Sequence, residues 1–216
     1  MEDENMDYID RDEKESFYGE AMILLEGAIN ELMSRIQTIR HYYSNKSGRD
    51  PIEHCKSRIK SEASMKEKLS RKGFPVTSEA ALTKVFDAAG IRIICPFVDD
   101  VYLVVNMLHN QKDLVITEEK DYIRNAKENG YRSYHMITKV PVHLDDGIIW
   151  TYVEVQIRTI AMDCWASLEH QLHYKKADCP NNKLIVGELK RCSDEIANTD
   201  LKLQTIRDLM DQMEEV

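Results

Sequence analysis

Residues 148–158, with the sequence IIWTYVEVQIR, restrict the fold of this chain more than any other segment. From Thr151 onward the side chains alternate between β-branched and larger polar types, and this period of two predicts a β-strand with one apolar and one polar face. The turn Asp145-Asp146-Gly147 separates this run from a similar one at 134–142, and the combination predicts a β-hairpin. The polar face of the strand is expected to carry Tyr152, Glu154, Gln156 and Arg158.

Helices and strands are expected to alternate through the middle of the chain. Residues 90–96, GIRIICP, predict a strand stopped by its proline, in which Arg92 points away from the apolar side chains. Residues 114–117 predict another strand, whereas residues 120–133 have no apolar period and contain Asn-Gly, which predicts a loop. Helices are predicted over 51–73 with a break near Ser61, from Thr77 or Ser78 to about Phe86, over 99–110, and over 161–176.

Long helices are expected at both ends of the chain, because apolar residues recur there every three or four positions and so share one helix face. The N-terminal stripe comprises Ala21, Leu25, Ala28, Leu32, Ile36, Ile39 and Tyr43. The C-terminal stripe comprises Ile185, Leu189, Cys192, Ile196, Leu203, Ile206, Met210 and Met213. Such stripes are typical of ordinary core packing, and their nearly heptad spacing also suits packing between subunits.

The charges are unevenly distributed along the 216 residues, whose net charge is −9. Residues 1–20 carry nine acids and two bases, whereas residues 56–72 carry seven bases and two acids. The acidic balance argues against non-specific nucleic-acid binding, so no nucleic-acid partner is expected, apart from a regulatory RNA on which the sequence is silent. A basic island in an acidic chain suits a small polyanion such as a nucleotide, although a solvated helix face gives the same pattern.

Composition excludes several other classes of protein and site. No apolar run approaches the roughly 20 residues that cross a bilayer, and the acidic N-terminus does not resemble a signal peptide. The five cysteines are widely spaced without a CxxC pair, which disfavours a disulfide framework or a zinc site and favours the reducing cytoplasm. His170 and His173 lie three positions apart without a third ligand, so no metal site is expected there.

The predicted loop at 120–135 combines cations with aromatic residues. Cations neutralise phosphates, and an aromatic ring stacks on a nucleobase for about 1–3 kcal/mol. Together with the carboxylate on the polar strand face, the loop predicts a binding site for a phosphate-bearing ligand, although a strand face that simply meets water would alternate in the same way. The residues concerned are Lys120, Arg124, Lys127, Tyr131, Arg132, Tyr134 and His135.

Five ordered blocks resemble the synthetase domain of the RelA/SpoT family. The run KENGYRSYH at 127–135, followed by EVQIRT at 154–159, resembles the paired signature of that domain. The other blocks are SRIKSEASMKEKL at 57–69, FDAAGIRIICPFVDDVY at 86–102 and WASLEHQLHYKK at 165–176. The resemblance implies an α+β fold, a mixed β-sheet flanked by helices and similar to nucleotidyltransferases. It also implies a single domain, with an acidic segment and helix at 1–49, a catalytic core at 50–176 and a C-terminal helix at 177–216.

The activity that this resemblance implies is (p)ppGpp synthesis for the stringent response, in which pyrophosphate passes from ATP to the 3′-hydroxyl of GDP or GTP. The implied cofactor is Mg²⁺, with Asp87 as a ligand and Glu154 either helping to hold the metal or accepting the hydroxyl proton. On the ATP side, the resemblance implies that Arg58 and Arg92 sandwich the adenine ring. The candidate contacts to the ATP phosphates are Lys60, Ser64 and Lys68.

On the acceptor side, the resemblance implies that Tyr131 stacks on guanine and that His135 orients the reacting groups. The candidate phosphate ligands are Lys120, Arg124 and Lys127, and Gln156 and Arg158 are expected to line the same cleft. In the closing helix, Trp165 and Leu168 are expected in the core, while Glu169, His170 and Lys176 are expected to touch substrate or to pair with one another.

The resemblance is to small alarmone synthetases, which implies a homotetramer in the cytoplasm. The sequence contains no His-Asp dipeptide, so the hydrolase activity of larger relatives is not expected. Two alternatives stay open: a toxin-type relative that pyrophosphorylates adenosine nucleotides or tRNA, and a non-catalytic nucleotide-binding or assembly protein. The acidic pI of about 5.3 disfavours an RNA substrate, and the presence of both Asp87 and Glu154 disfavours a pure binder.

Overall fold

A mixed five-stranded β-sheet organises the computed structural model, which describes residues 17–174 and 182–214. The spatial order is β1-β2-β5-β4-β3; β2 and β5 are parallel and the other neighbours are antiparallel. The strands are β1 (His54–Ile59), β2 (Ala89–Cys95), β3 (Val115–Asp121), β4 (Tyr134–Leu144) and β5 (Gly147–Thr159). The helices are α1 (Ala21–Ser47), α2 (Glu62–Arg71), α3 (Ser78–Thr83), α4 (Val98–His109), α5 (Ile160–Tyr174) and α6 (Asn182–Glu214). This architecture confirms the predicted fold class.

The hairpin of β4 and β5 forms the centre of the sheet, as its alternation and turn predicted. Its ladder runs from Leu144 opposite Gly147 to Tyr134 opposite Ile157. Gly147 has φ of +146°, a value in the left-handed region, which favours glycine. From Thr151 to Ile157 of β5 the β-branched side chains are buried and the alternate ones are partly exposed, so the two predicted faces exist there.

The apolar face of the sheet is covered by α1 and α4. From α1, Leu25, Leu32 and Ile36 are fully buried, and Val101 of α4 is equally so. These side chains share one core with the β-branched residues of β2 and β5. The opposite face of the sheet, which carries Glu154, is left for polar side chains.

Three predicted boundaries need correction. The helix predicted over 51–73 is wrong in its first half: residues 54–59 form β1, and the predicted break at Ser61 is where α2 begins. An edge strand bonds to one neighbour only, so it does not need apolar residues on both faces. For the same reason β3 reaches Asp121 with an acidic and basic sequence, and the predicted loop begins after it. The helix predicted to reach Phe86 ends at Thr83.

The two terminal stripes have different surroundings. Residues Ala21 through Ile36 of the N-terminal stripe are buried against the chain's own sheet, so the hypothesis that they pack between subunits is wrong. In α6, by contrast, Leu203, Ile206, Met210 and Met213 are half or more exposed.

In α5, Trp165 is in the core as predicted, but Leu168 is exposed, so its assignment to the core is wrong. None of the helices in the described ranges has the length and apolarity of a membrane span.

Candidate active site

The register of the sheet aligns polar side chains from all five strands on its open face. Residues directly opposite one another in adjacent strands project to the same side. One row of paired residues consists of Lys56, Arg92, Gln156, His135 and Lys120. The next row consists of Arg58, Gly90, Glu154, Ile137 and Glu118. Residues far apart in sequence therefore surround one cleft.

Asp87 lies at the edge of this face, two residues before β2. Its Oδ2 atom accepts a hydrogen bond from Lys68 Nζ at 2.5 Å and lies 3.1 Å from Lys60 Nζ. Burial opposes ionisation of this carboxyl, but the hydrogen bond from Lys68 and the charge of Lys60 outweigh it and lower its pKa. Its Oδ1 atom is buried without a hydrogen-bond partner. A buried carboxylate oxygen without a partner has free capacity for a ligand.

Glu154 occupies the middle of β5 on the same face. Its Oε2 atom accepts a hydrogen bond from Gln156 Nε2 at 2.9 Å, and its Oε1 atom lies 3.4 Å from His135 Nδ1. Burial and the nearby negative charge of Asp87 raise its pKa, whereas His135 and Gln156 lower it, and the net shift is downward. Both carboxylates are therefore ionised at neutral pH.

The two carboxylates have the chemistry of a sparse magnesium site. Mg²⁺ takes one or two carboxylates and completes its shell with phosphate oxygens and water. The unpartnered Oδ1 of Asp87 fits this donor set, and the charge of Asp87 reaches Glu154. Among the described residues, no group of three or more His, Cys, Asp or Glu side chains is placed to hold a metal ion.

Beside Glu154, strands β1 and β2 line a solvent-open cleft of about 570 Å³ including its mouth. Arg58 faces Gly90 across the β1–β2 ladder, so Arg58 and Arg92 are diagonal neighbours on one face. A side chain at position 90 would find only ordinary van der Waals contacts, so glycine there keeps the floor of the cleft open. The cleft is lined by Lys56, Ser57, Arg58, Gly90, Ile91, Arg92, Glu154 and Gln156.

In the cleft between β1 and β2, Arg92 has a hydrogen-bond donor that no protein group in the described ranges uses. Its Nη1 atom lies 3.2 Å from Asp163 Oδ1, while its Nε atom is buried without an acceptor. Burial, and after it the charge of Arg158, lower the pKa of the Arg92 guanidinium, and the charge of Arg58 adds to this. Crowded guanidinium groups with an unused donor favour an anionic or aromatic ligand.

The predicted ATP-phosphate residues lie along α2 and the end of β1. Ser64 and Lys68 are one helical turn apart, and the Lys68 ammonium reaches Asp87. Ser64 is exposed, with its Oγ accepting a hydrogen bond from Ser61 Oγ at 3.0 Å. The backbone N–H of Lys60 donates to the carbonyl of Ala88 at 2.8 Å, which holds the lysine beside the loop that carries Asp87.

A hydrogen-bonded chain connects the other side of the site to Glu154. Arg158 Nη2 donates to Tyr131 Oη at 2.5 Å, and Tyr131 Oη lies 2.8 Å from His135 Nε2. Because the arginine can only donate, the single hydroxyl proton of Tyr131 is free to point at Nε2. The other ring nitrogen, Nδ1, faces Glu154, so a proton on Nδ1 points at that carboxylate.

Aromatic rings and a lysine surround this chain. The ring of Tyr122 lies 6.1 Å from that of Tyr131 and 5.2 Å from that of His135, both edge to face. Lys127 Nζ stands 4.8 Å from the centroid of Tyr131 and 4.6 Å from that of Tyr122. A planar, electron-rich base and an anionic phosphate both find partners in such a cluster.

Two of the predicted acceptor-binding residues stand apart from this cluster, and a third, Arg158, is a buried member of it. Arg158 is only 4% exposed and donates to Ser133, Asp163, Tyr131 and Gln156, so it supports the side chains of the site from within the protein. Lys120 lies in the row of His135 but is exposed and paired with Glu118. Arg124 stacks over the ring of Tyr102 at 5.0 Å, on the apolar-face side of the sheet, and is not brought to the cleft.

Sequence reasoning missed three residues of the site. Lys56 lines the cleft, and a strand at 54–59 is signalled by the period of two in Lys56, Arg58 and Lys60. Tyr122 packs on Tyr131, and Asp163 forms ion pairs with both Arg92 and Arg158. No spacing or motif indicated Asp163. It lies in the helix that follows β5, and only the folded chain brings it next to both arginines.

Comparisons with known proteins agree with this geometry. Residues 57–178 match the model described as "Region found in RelA / SpoT proteins". The chain is 42% identical to the GTP pyrophosphokinase YwaC of Bacillus subtilis, covering 88% of this chain and 90% of that protein. It is also similar to the crystal structure of B. subtilis small alarmone synthetase 1 bound to its product pppGpp, at 36% identity and a TM-score of 0.78, covering 88% of this chain and 95% of that one.

A second crystal structure, of small alarmone synthetase 1 from B. subtilis bound to AMPCPP, has a TM-score of 0.74 at 34% identity, covering 89% of this chain and 97% of that one. The similarity thus extends over the sheet, the cleft and both terminal helices rather than over a single motif. The chain belongs to the RelA/SpoT family, and its similar structures within that family are small alarmone synthetases.

Proposed function

We propose that this chain is a (p)ppGpp synthetase that transfers pyrophosphate from ATP to the 3′-hydroxyl of GDP or GTP. One observation supports this proposal most strongly. Two candidate nucleotide-binding regions of different composition lie on one face of the sheet and adjoin the carboxylates Asp87 and Glu154. The arginine-lined cleft lies on one side of this pair, and the tyrosine–histidine cluster lies on the other. An enzyme that joins two nucleotides needs this arrangement, because both reacting groups must lie against the same charged centre.

On the donor side, Arg58 and Arg92 hold the adenine of ATP between their guanidinium planes. Lys60 and Lys68 neutralise its phosphates, with Ser64 as an additional hydrogen-bond donor. These lysines already lie at Asp87, within 3.1 Å and 2.5 Å respectively, so they flank the place where phosphoryl charge develops.

On the acceptor side, Tyr131 stacks on guanine and Lys127 binds the acceptor phosphates together with Lys120. The 3′-oxygen attacks the β-phosphorus of ATP, the bond from that phosphorus to the α,β-bridging oxygen breaks, and AMP leaves. Glu154 accepts the hydroxyl proton, and its lowered pKa keeps it ionised and ready. His135, with its Nδ1 proton toward Glu154, fixes the orientation of that carboxylate.

We include Mg²⁺ in the proposal, held by Asp87 Oδ1 and Glu154. When bound, it would supply positive charge to the phosphate oxygens. Asp87 is suited to this role because Lys60 and Lys68 occupy its other oxygen and leave Oδ1 free.

The proposal is tested by incubating the purified chain and Mg²⁺ with ATP labelled in its terminal phosphates, separately with GDP, GTP, ADP, ATP and tRNA. We expect labelled product and AMP in equal amounts with GDP or GTP. Transfer only to adenosine nucleotides or tRNA would favour the toxin-type alternative. Binding of nucleotides without any transfer would favour the non-catalytic one.

We further propose that the chain assembles as a homotetramer through the exposed stripe of α6. Leu203, Ile206, Met210 and Met213 together form an apolar surface that a monomer would leave in water. Light scattering at micromolar concentration is expected to give four times the chain mass of 25.1 kDa. Met210→Glu is expected to lower that mass, because a carboxylate in an apolar interface loses its hydration.

The matched control is Lys202→Glu, which places the same carboxylate at an exposed polar position of the same helix. It should leave the assembly intact. A mass near that of one chain for the unmodified protein would contradict the proposal.

A further inference from the structure

We infer that α6 holds the acceptor loop, residues 122–133, in the conformation that binds the guanosine nucleotide, and that Ser193 is the positioning residue of this contact. The inference rests on the proposed function, because it concerns how the acceptor side of that site is kept in place. It assigns to α6 a role in substrate binding that is separate from any role in assembly.

The loop and the helix are in tight contact at Gly130. Ser193 Oγ donates to the carbonyl oxygen of Gly130 at 2.5 Å, and Ser193 is only 3% exposed. A Cβ atom at position 130 would lie 2.7 Å from Ser193 Cβ and 3.1 Å from Lys190 Cα. Gly130 also has φ of +95°, so both its backbone conformation and its surroundings require glycine.

A second contact lies two residues further along the loop. Arg132 Nη2 donates to Asp194 Oδ1 at 2.9 Å, while its Nη1 donates to the carbonyl of Ile123 at 3.0 Å. One side chain therefore joins the beginning of the loop, its end and α6. Successive residues of the helix, Ser193 and Asp194, hold the two positions that flank Tyr131.

Tyr131 is held between these anchors by its own backbone. Its N–H donates a hydrogen bond to Asn129 Oδ1 at 3.1 Å, and its carbonyl accepts one from the Lys127 N–H at 3.1 Å. A shift of Gly130 would therefore move both the Tyr131 ring and Lys127. It would also disturb the hydroxyl that links Arg158 to His135.

The face of α6 that contacts the rest of the chain does so largely through hydrogen bonds and a cation–π contact rather than through buried apolar side chains. Asp200 accepts from Thr159 Oγ1 at 2.5 Å, at the end of β5, and Arg207 stacks over Phe97 at 4.9 Å. The Leu189 carbonyl accepts from the indole N–H of Trp165 at 2.9 Å. Hydrogen bonds fix direction more sharply than apolar contacts, so this face sets the position of the helix against the site.

The test is a titration of GDP, and separately of an ATP analogue that cannot be cleaved between its α- and β-phosphates, against Ser193→Ala. We expect the dissociation constant for GDP to rise about five- to tenfold, because the buried Gly130 carbonyl loses its donor. The dissociation constant for the ATP analogue should not change. Asp194→Asn, which weakens the second contact at a more exposed position, should give a smaller rise in the same direction.

A double-mutant cycle separates positioning from a general loss of structure. If Ser193 acts mainly through the tyrosine, Ser193→Ala should raise the GDP dissociation constant less in a Tyr131→Ala background than in the unmodified chain. Thr199→Ala is the matched control, since it removes an exposed hydroxyl that only bonds back to Glu195 within α6. Unchanged GDP binding in Ser193→Ala, equal losses for both ligands, or an equal loss in both backgrounds would overturn the inference. Absence of GDP binding in the unmodified protein would instead overturn the proposed function.

Discussion

Glu154→Gln and Asp87→Asn are each expected to lower the turnover of pyrophosphate transfer by at least about 100-fold. Both substitutions keep the size of the side chain and remove its negative charge. Glutamine at 154 cannot accept the hydroxyl proton, and asparagine at 87 no longer neutralises Lys60 and Lys68. The measurement is the rate of AMP release at saturating ATP and acceptor.

The control for these variants is Asp113→Asn, which removes a surface carboxylate paired with Arg35 outside the cleft. It should keep full turnover. Thermal unfolding of all three variants distinguishes lost chemistry from lost structure, since a folded variant without activity is the expected outcome. A folded Glu154→Gln or Asp87→Asn variant that retains more than a modest fraction of turnover would contradict the role of that carboxylate.

Tyr131→Ala and Arg58→Ala are expected to weaken different substrates. Losing the tyrosine ring removes stacking on guanine and should weaken acceptor binding by roughly 1–3 kcal/mol, or about five- to 150-fold. ATP affinity should stay nearly constant, because the adenine site that we propose is formed by the arginines of β1 and β2. Arg58→Ala should do the reverse, since it removes a guanidinium face from the donor cleft.

The measurement is a separate titration of each nucleotide against each variant. Arg58→Lys serves as a further comparison, and it should restore little ATP affinity because an ammonium group has no planar face. If Tyr131 only supported its loop, donor and acceptor binding would fall together. Parallel losses in both variants would therefore contradict the assignment of two pockets.

The parts of the fold and site that sequence predicted are those encoded by local patterns. The β4–β5 hairpin follows from a period of two and a turn that needs glycine, both of which are local properties. The same period places Glu154 and Gln156 on one face without any knowledge of the rest of the chain. No local pattern predicts that Asp87 lies beside Lys60 and Lys68. Only the resemblance to a family suggested that these three residues belong to one site.

Other errors arose where tertiary contacts override local preference. Residues 56–60 include three charged side chains and stay largely exposed, and their strand conformation at the sheet edge depends on hydrogen bonds to β2 that no sequence window contains. The stripe of α1 is buried in the chain's own core, while the similar stripe of α6 faces outward. In α6 the inward contacts are made by Ser193, Asp200 and Arg207, because the helix meets loops and strand ends rather than the apolar face of the sheet.

The row of paired side chains across the sheet also limits where the length of this chain can vary. Successive residues of a strand point to opposite faces, so one residue inserted into β5 before Glu154 would turn that carboxylate toward α1 and bring a valine into the cleft. Two residues added at the turn between Leu144 and Gly147 would leave the strand pairing unchanged in the row of His135 and Gln156 and in the row of Glu154. Insertions and tags therefore belong at the tip of the hairpin, and the strands beneath it must keep their length.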